Sequence, residues 1–196
     1  MKRSILGVVL SGGKSRRLGQ DKAQLSFHEG MNQLDYMLSL LDAFCESLAI
    51  SCRDSQRSER SSKFDVDLIL DEQGLVGPMA GVISSLRNSS NRAVLMVACD
   101  MPLLDAGVLL KVVSLRNSEK LATCLLAQDG KPEPMCAVYE SRCLLALEDW
   151  VERGNHSLRR FLESSDVELI EVDEPQMLAS VNTLEDVESV RKRLDR

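Results

Sequence analysis

Several large classes of protein are excluded by what this chain lacks. It has no surplus of positive charge: 24 Lys and Arg stand against 30 Asp and Glu, a formal net of −6. A general nucleic-acid binder, which carries a basic face, is therefore not expected. No apolar run approaches the length of a membrane-spanning helix, so no membrane partner is expected either. Residues 1–10 begin like a secretion signal, but the apolar part is very short and runs into glycines without a small-residue cleavage site. A first β-strand of a cytoplasmic protein is the expectation. None of the six cysteines, at 45, 52, 99, 124, 136 and 143, forms a Cys-x-x-Cys pair. Several sit in apolar runs such as Val94-Leu-Met-Val-Ala-Cys99, which predicts buried reduced thiols rather than a disulfide framework or metal cluster. His28 and His156 have no partner pattern, and there is no internal repeat.

What is present points to an α/β architecture. Apolar, β-branched runs recur at Ile5–Leu10, Leu48–Cys52, Val66–Leu70, Ala93–Cys99, Leu121–Ala127, Met135–Tyr139 and Val167–Val172. Most are continuous rather than alternating, as in strands buried on both faces of a mostly parallel sheet. Helical spacing lies between them: Leu34, Met37, Leu38, Leu41, Cys45 and Leu48, then Met79–Leu86 behind Pro78, then Ala106–Leu115 capped by Asp105. Leu144–Val151, Leu158–Leu162 and Leu184–Leu194 complete the set. The pattern predicts one domain over residues 1–196, a three-layer sandwich with helices on both faces of the sheet. Residues 53–63 are charged, Ser-rich and almost free of apolar side chains, which reads as an exposed, mobile surface loop.

The segment Leu10-Ser-Gly-Gly-Lys-Ser-Arg-Arg-Leu-Gly-Gln-Asp-Lys22 holds the densest chemistry. Gly13-Lys14-Ser15 resembles the tail of a P-loop, but that pattern needs its first glycine at position 8, which is Val8. A dinucleotide Gly-x-Gly-x-x-Gly fails as well, because Gly12 and Gly13 are adjacent. The physics survives both exclusions. Two glycines after a buried strand turn sharply and expose backbone N–H groups. Lys14, Arg16, Arg17 and Lys22 then bring positive charge to the carboxyl end of the sheet, where open α/β folds bind ligands. A di- or triphosphate suits such a loop; a solvated surface loop is the plainer alternative.

Those residues resemble the signature L-x-G-G-x-S-x-R-M/L-G-x-D-K of small nucleotidyltransferases, and most closely the molybdenum cofactor guanylyltransferases. Three further segments carry the likeness: Leu70-Asp71 with Gly77-Pro-Met-Ala-Gly81, Cys99-Asp100-Met-Pro102, and Ser180-Val-Asn-Thr-Leu-Glu-Asp186. The resemblance implies a Rossmann-like nucleotidyltransferase fold. It implies that Leu10, Ser11, Gly12 and Gly13 wrap the triphosphate, with Arg17 and Lys22 neutralising charge. Asp71 and Gly77 would border guanine and ribose, and Asp100 would hold Mg²⁺. An aspartate ending an apolar strand is costly to bury without a partner, and Mg²⁺ is one; a turn or helix-capping aspartate is another reading. Pro134 and Asn182 would lie toward the pterin, although Asn182 fits equally as a helix N-cap with Glu185 completing a capping box.

The implied reaction is transfer of GMP from GTP to the molybdopterin cofactor, with docking to cofactor-insertion proteins or molybdoenzymes. A cytidylyltransferase, a transferase onto another small phosphate and a non-catalytic cofactor carrier stand as alternatives. The chain departs from the family at Gly30-Met-Asn-Gln-Leu34, at Ser51 and Arg53, and at Glu133-Pro134, where a His-Pro is usual.

Overall fold

The computed structural model describes residues 3–13, 18–60, 64, 66–72 and 74–195. Seven strands form one sheet: β1 (Arg3–Leu10), β2 (Cys45–Cys52), β3 (Asp67–Leu70), β4 (Ala93–Ala98), β5 (Ala122–Leu126), β6 (Pro132–Tyr139) and β7 (Glu168–Ile170). Their order is β3-β2-β1-β4-β6-β5-β7, and β6 alone runs against its neighbours. The reversal has a local cause. Only residues 127–131 join β5 to β6, too few for a helical crossover, and Gly130 at φ +72° closes a hairpin there.

Among the described residues six α-helices flank the sheet: α1 (Gln33–Asp42), α2 (Gly77–Asn88), α3 (Ala106–Ser114), α4 (Cys143–Glu152), α5 (Leu158–Ser164) and α6 (Leu184–Leu194). The crossovers β1–α1–β2 and β3–α2–β4 move in opposite directions along the sheet, so right-handed connections put α1 and α2 on opposite faces. Every residue of β4 and β6 is buried, which is why β4 and the Met135–Tyr139 part of β6 read as unbroken apolar runs. None of the helices among the described residues is long and apolar enough to cross a membrane.

The helical spacing expected from Leu34 to Leu48 stops early. Helix α1 ends at Asp42, and Cys45 and Leu48 belong to β2, where they pair with Arg3 and Gly7 of β1. Pairing with β1 outweighs local helical periodicity there.

The switch of strand order lies at β1, with β2 and β3 on one side and β4 on the other. Leu10 is in register with both Ser51 and Ala98, so three carboxyl ends finish level. The ladder runs one residue further: the Ser11 N–H donates to the Ser51 carbonyl at 2.8 Å and the Cys99 N–H to the Leu10 carbonyl at 3.0 Å. An open α/β sheet places its ligand crevice at such a point.

Candidate active site

A cleft of about 250 Å³ opens over those level strand ends. Leu10, Ser11, Gly12 and Gly13 line one side, and Asp71 and Gly77 another. Lys22 and Asp100 border it too, as do Asp21, Arg53, Met135 and Ser180. Eight of the residues singled out from sequence therefore share one concavity. Arg17, like Lys14 and Arg16, lies outside the described residues. Pro134 does not border the cleft. It sits buried at a bulge of β6, where a residue without an N–H is tolerated, and its carbonyl accepts the Tyr139 hydroxyl at 2.8 Å. Its neighbour Met135 faces the cleft instead.

Lys22 opens a short 3₁₀ turn, Lys22–Gln24, whose N-cap is Asp21. The Asp21 carboxylate accepts the Ala23 N–H at 3.1 Å, which fixes where the lysine starts. From there the ammonium donates to Asp100 Oδ2 at 2.8 Å and to Asn182 Oδ1 at 2.8 Å. The Lys22 and Asp100 side chains are 15% and 25% exposed, open enough to admit a substrate.

Asn182 is not the helix cap that its sequence allows. Thr183 is, its hydroxyl accepting the Asp186 N–H at 3.2 Å while Asp186 Oδ2 accepts the Thr183 N–H at 2.8 Å. The box thus uses Asp186 rather than Glu185, and Asn182 is left to face Lys22. The Asn182 N–H also donates to Asp186 Oδ2 at 2.8 Å. These N–H donors hold the Asp186 carboxyl below its ordinary range.

Across the cleft, burial raises the Asp71 pKa, with the Ser51 hydroxyl at 3.4 Å and Arg53 opposing. The glycines of the second motif act differently. Gly77 has φ +66°, a conformation that favours glycine, at the first residue of α2. At Gly81 an added Cβ would stand 2.3 Å from Leu10 Cδ1 and 3.0 Å from Ser51 Oγ. That glycine lets α2 seat against the ends of β1 and β2. Below Met135, Glu133 is buried, accepts the Met135 N–H at 2.9 Å and pairs with Arg159 at 3.3 Å. Burial raises its pKa.

Arg60 is the residue that sequence reasoning placed wrongly. Residues 54–59 form a 3₁₀ helix, and Arg60 behind it is 5% exposed. Its guanidinium pairs with the Asp21 carboxylate through Nη1 and donates to the Ser11 carbonyl through Nη2 at 2.8 Å. A single buried cation among charged and Ser residues leaves no periodic trace in sequence.

A carboxylate ending a strand beside an anchored lysine and a glycine loop provides for a hard cation and a polyphosphate together. Among the described residues no three His, Cys, Asp or Glu side chains cluster as a ready metal cage. Asp100 nonetheless fits Mg²⁺, which binds through one or two carboxylates and takes its other oxygens from phosphates and water. Fold and site are together those of a nucleotidyltransferase.

Comparison with known proteins agrees. The family model of the MobA-like NTP transferase domain matches residues 7–170, and the chain belongs to that family. A molybdenum cofactor guanylyltransferase of Pseudomonas entomophila is 32% identical over 79% of this chain and 80% of its own length. A molybdenum cofactor biosynthesis bifunctional protein of Synechocystis is 31% identical over 93% of this chain but 52% of its own length. The chain thus spans about half of that relative. The crystal structure of molybdopterin-guanine dinucleotide biosynthesis protein A from Archaeoglobus fulgidus superposes with a TM-score of 0.77, at 24% identity over 97% of this chain and 98% of the other. It shares the fold.

Proposed function

We propose that this chain transfers GMP from GTP to the phosphate of molybdopterin carrying molybdenum, releasing pyrophosphate and forming the guanine dinucleotide cofactor. The observation that carries the reaction class is the Lys22 ammonium held between Asp100 and Asn182 at the mouth of a glycine loop. The guanylyl group and the molybdenum cofactor as acceptor follow the names of relatives that are molybdenum cofactor guanylyltransferases.

In this reading an oxygen of the acceptor phosphate forms the new bond to the α-phosphorus of GTP. The bond from that phosphorus to the β-phosphate bridging oxygen breaks, and its electron pair leaves with pyrophosphate. Such transfers need positioning and electrostatic stabilisation more than a protein nucleophile. In the loop Leu10–Gly13 the Ser11 N–H is taken by the Ser51 carbonyl, so the two glycines offer the backbone N–H groups to the triphosphate, and Lys22 meets the charge that builds on the leaving group. Asn182, through Lys22, ties the C-terminal segment to the same centre. Asp71, across the cleft, accepts hydrogen bonds from donors on the base or ribose. Asp100 would hold Mg²⁺, which would supply Lewis-acid neutralisation of the phosphate charge. A cytoplasmic location goes with this reading, since six buried cysteines outside any disulfide suit a reducing compartment.

The test is pyrophosphate release by the purified protein with Mg²⁺, molybdopterin carrying molybdenum, and either GTP or CTP. Release with GTP in clear excess over CTP is expected. Preference for CTP refutes the choice of base, and no release with any nucleotide refutes the activity.

A further inference from the structure

We propose that Arg60 is a positioning residue for the triphosphate loop, acting through Ser11 and Asp21 rather than on substrate; this rests on the nucleotidyl-transfer reading of the cleft. The Arg60 side chain has 0% exposure although its segment is charged and Ser-rich. Its guanidinium spans two acceptors on the loop, the Ser11 carbonyl at 2.8 Å and the Asp21 carboxylate. From the same 3₁₀ helix, Gln56 Nε2 donates to the Gly13 carbonyl at 3.3 Å. Residues 54–60 thus grip the loop at both carbonyls that bracket Gly12, and at the carboxylate immediately before Lys22.

Each grip has a consequence for the cleft. The C=O and N–H of a trans peptide point in opposite directions, so seating the Ser11 carbonyl on Arg60 turns the Gly12 N–H away from Arg60. Two adjacent glycines would otherwise sample many conformations, and ordering them on binding would weaken affinity. Holding Asp21 fixes the cap that starts the turn carrying Lys22. The geometry needs arginine: a planar fork reaches two acceptors at once, whereas an ammonium acts as a single point charge. Burying a cation is unfavourable unless it is paired, and an apolar side chain could fill the same space. A positional role accounts for its presence. Because Asp21 already matches its charge, Arg60 is not assigned to the phosphates themselves.

Titration calorimetry with GTP and with inorganic triphosphate, each with Mg²⁺, tests this on the wild type, Arg60→Lys and Gln56→Ala. Arg60→Lys is expected to weaken both ligands by about tenfold. It should raise the KM for GTP and leave the KM for the molybdopterin substrate unchanged. Gln56→Ala, which leaves the ion pair in place, should weaken both ligands about twofold to threefold. Adding millimolar guanidinium ion to Arg60→Ala should restore part of the affinity. Wild-type affinity and KM in Arg60→Lys overturn the proposal, as does an equal rise in both KM values. Should Arg60→Lys not fold, unchanged triphosphate binding in Gln56→Ala overturns it. Wild type that binds inorganic triphosphate but not GTP contradicts the guanylyl reading instead, and the effect of Arg60 is then read on triphosphate alone.

Discussion

The Lys22 ammonium lies 2.8 Å from Asp100 Oδ2, although 78 positions separate the two residues. The same nitrogen is 2.8 Å from Asn182 Oδ1, 160 positions away. Three separate motifs therefore meet at one cation. The ammonium and the carboxylate supply each other with opposite charge, and in the proposed reaction a triphosphate with its cation would supply both.

Replacing either member should cost turnover rather than folding. Both side chains are partly exposed, so water screens the pair and its contribution to stability is small. Lys22→Ala and Asp100→Asn are each expected to lower pyrophosphate release by about 10²–10³ fold. Thermal midpoints should stay within about 4 °C of wild type. The Val181 N–H to Asp100 carbonyl bond, at 2.8 Å, uses main chain only and survives both changes. Wild-type turnover in both variants contradicts the assignment of this site.

Asp71 should trade stability for binding. Burial raises its pKa in the folded protein above the unfolded value, so the ionised form is disfavoured by folding. That cost is fully present above the folded pKa and fades as pH falls toward the ordinary carboxylate range. Asp71→Asn is therefore expected to melt higher than wild type at neutral pH, with the gap closing on acidification. Its affinity for GTP should fall by about tenfold, because the amide offers fewer acceptors to the nucleotide. Melting curves across the acidic range, with titrations beside them, check both halves. A gap that widens on acidification contradicts the sign.

Gly81→Ala separates helix propensity from cleft shape. Alanine in a helix interior gains about 1 kcal/mol over glycine. Its Cβ would stand 2.3 Å from Leu10 Cδ1, and the leucine must rotate, at an overpacking cost of about 1–3 kcal/mol. These nearly offset each other, so the midpoint should fall only slightly. Leu10 borders the cleft, however, and its displaced methyl group would crowd a nucleotide bound there. A rise in the KM for GTP larger than the loss of stability is expected. A wild-type KM would show that Leu10 relaxes elsewhere.

The fold was legible where one force dominates. Continuous apolar runs became the buried strand β4 and the Met135–Tyr139 part of β6 because burial on both faces removes alternation. The ambiguity came where two periods fit the same residues. Cys45 and Leu48 continue the apolar stripe of α1, yet pairing with β1 takes them into β2. In the cleft, Lys22, Asp71 and Asp100 were readable because a charge beside a strand end or glycine loop stands out. Arg60 was not, since what buries it is a carbonyl and a carboxylate brought in by the fold. The capping box was off by one: Thr183 with Asp186 and Asn182 with Glu185 have the same spacing, and only the contact with Lys22 distinguishes them.

The cysteines should be silent in the native protein. All six are buried and none is in a disulfide. Burial pushes the Cys99 and Cys143 thiols up to about 12 and raises those of Cys52, Cys124 and Cys136 as well. The reactive thiolate is therefore scarce near neutral pH. Colorimetric thiol titration should give almost no fast signal before denaturation and all six afterwards. Cys99, which borders the cleft, should react first, and GTP should slow it. Rapid native labelling of several thiols contradicts the packing.

The start of α6 offers a contrast between two variants of similar stability. Thr183→Ala removes the hydroxyl that accepts the Asp186 N–H, and Asp186→Ala removes the carboxylate that accepts the N–H groups of Thr183 and Asn182. Either loss of a cap costs about 1 kcal/mol, or roughly 2–4 °C in a chain of this size. Only Asp186→Ala releases Asn182, whose side chain holds Lys22. It should therefore lower turnover as well as the midpoint, whereas Thr183→Ala should leave turnover nearly intact. The pH dependence follows from the same bonds. They depress the folded pKa of Asp186, so its contribution is present above the unfolded carboxylate pKa and is lost as pH falls through the folded one. Acid should thus erase the difference in midpoint between wild type and Asp186→Ala. Equal damage to turnover in both variants would mean that Asn182 is held by the helix as a whole rather than by Asp186.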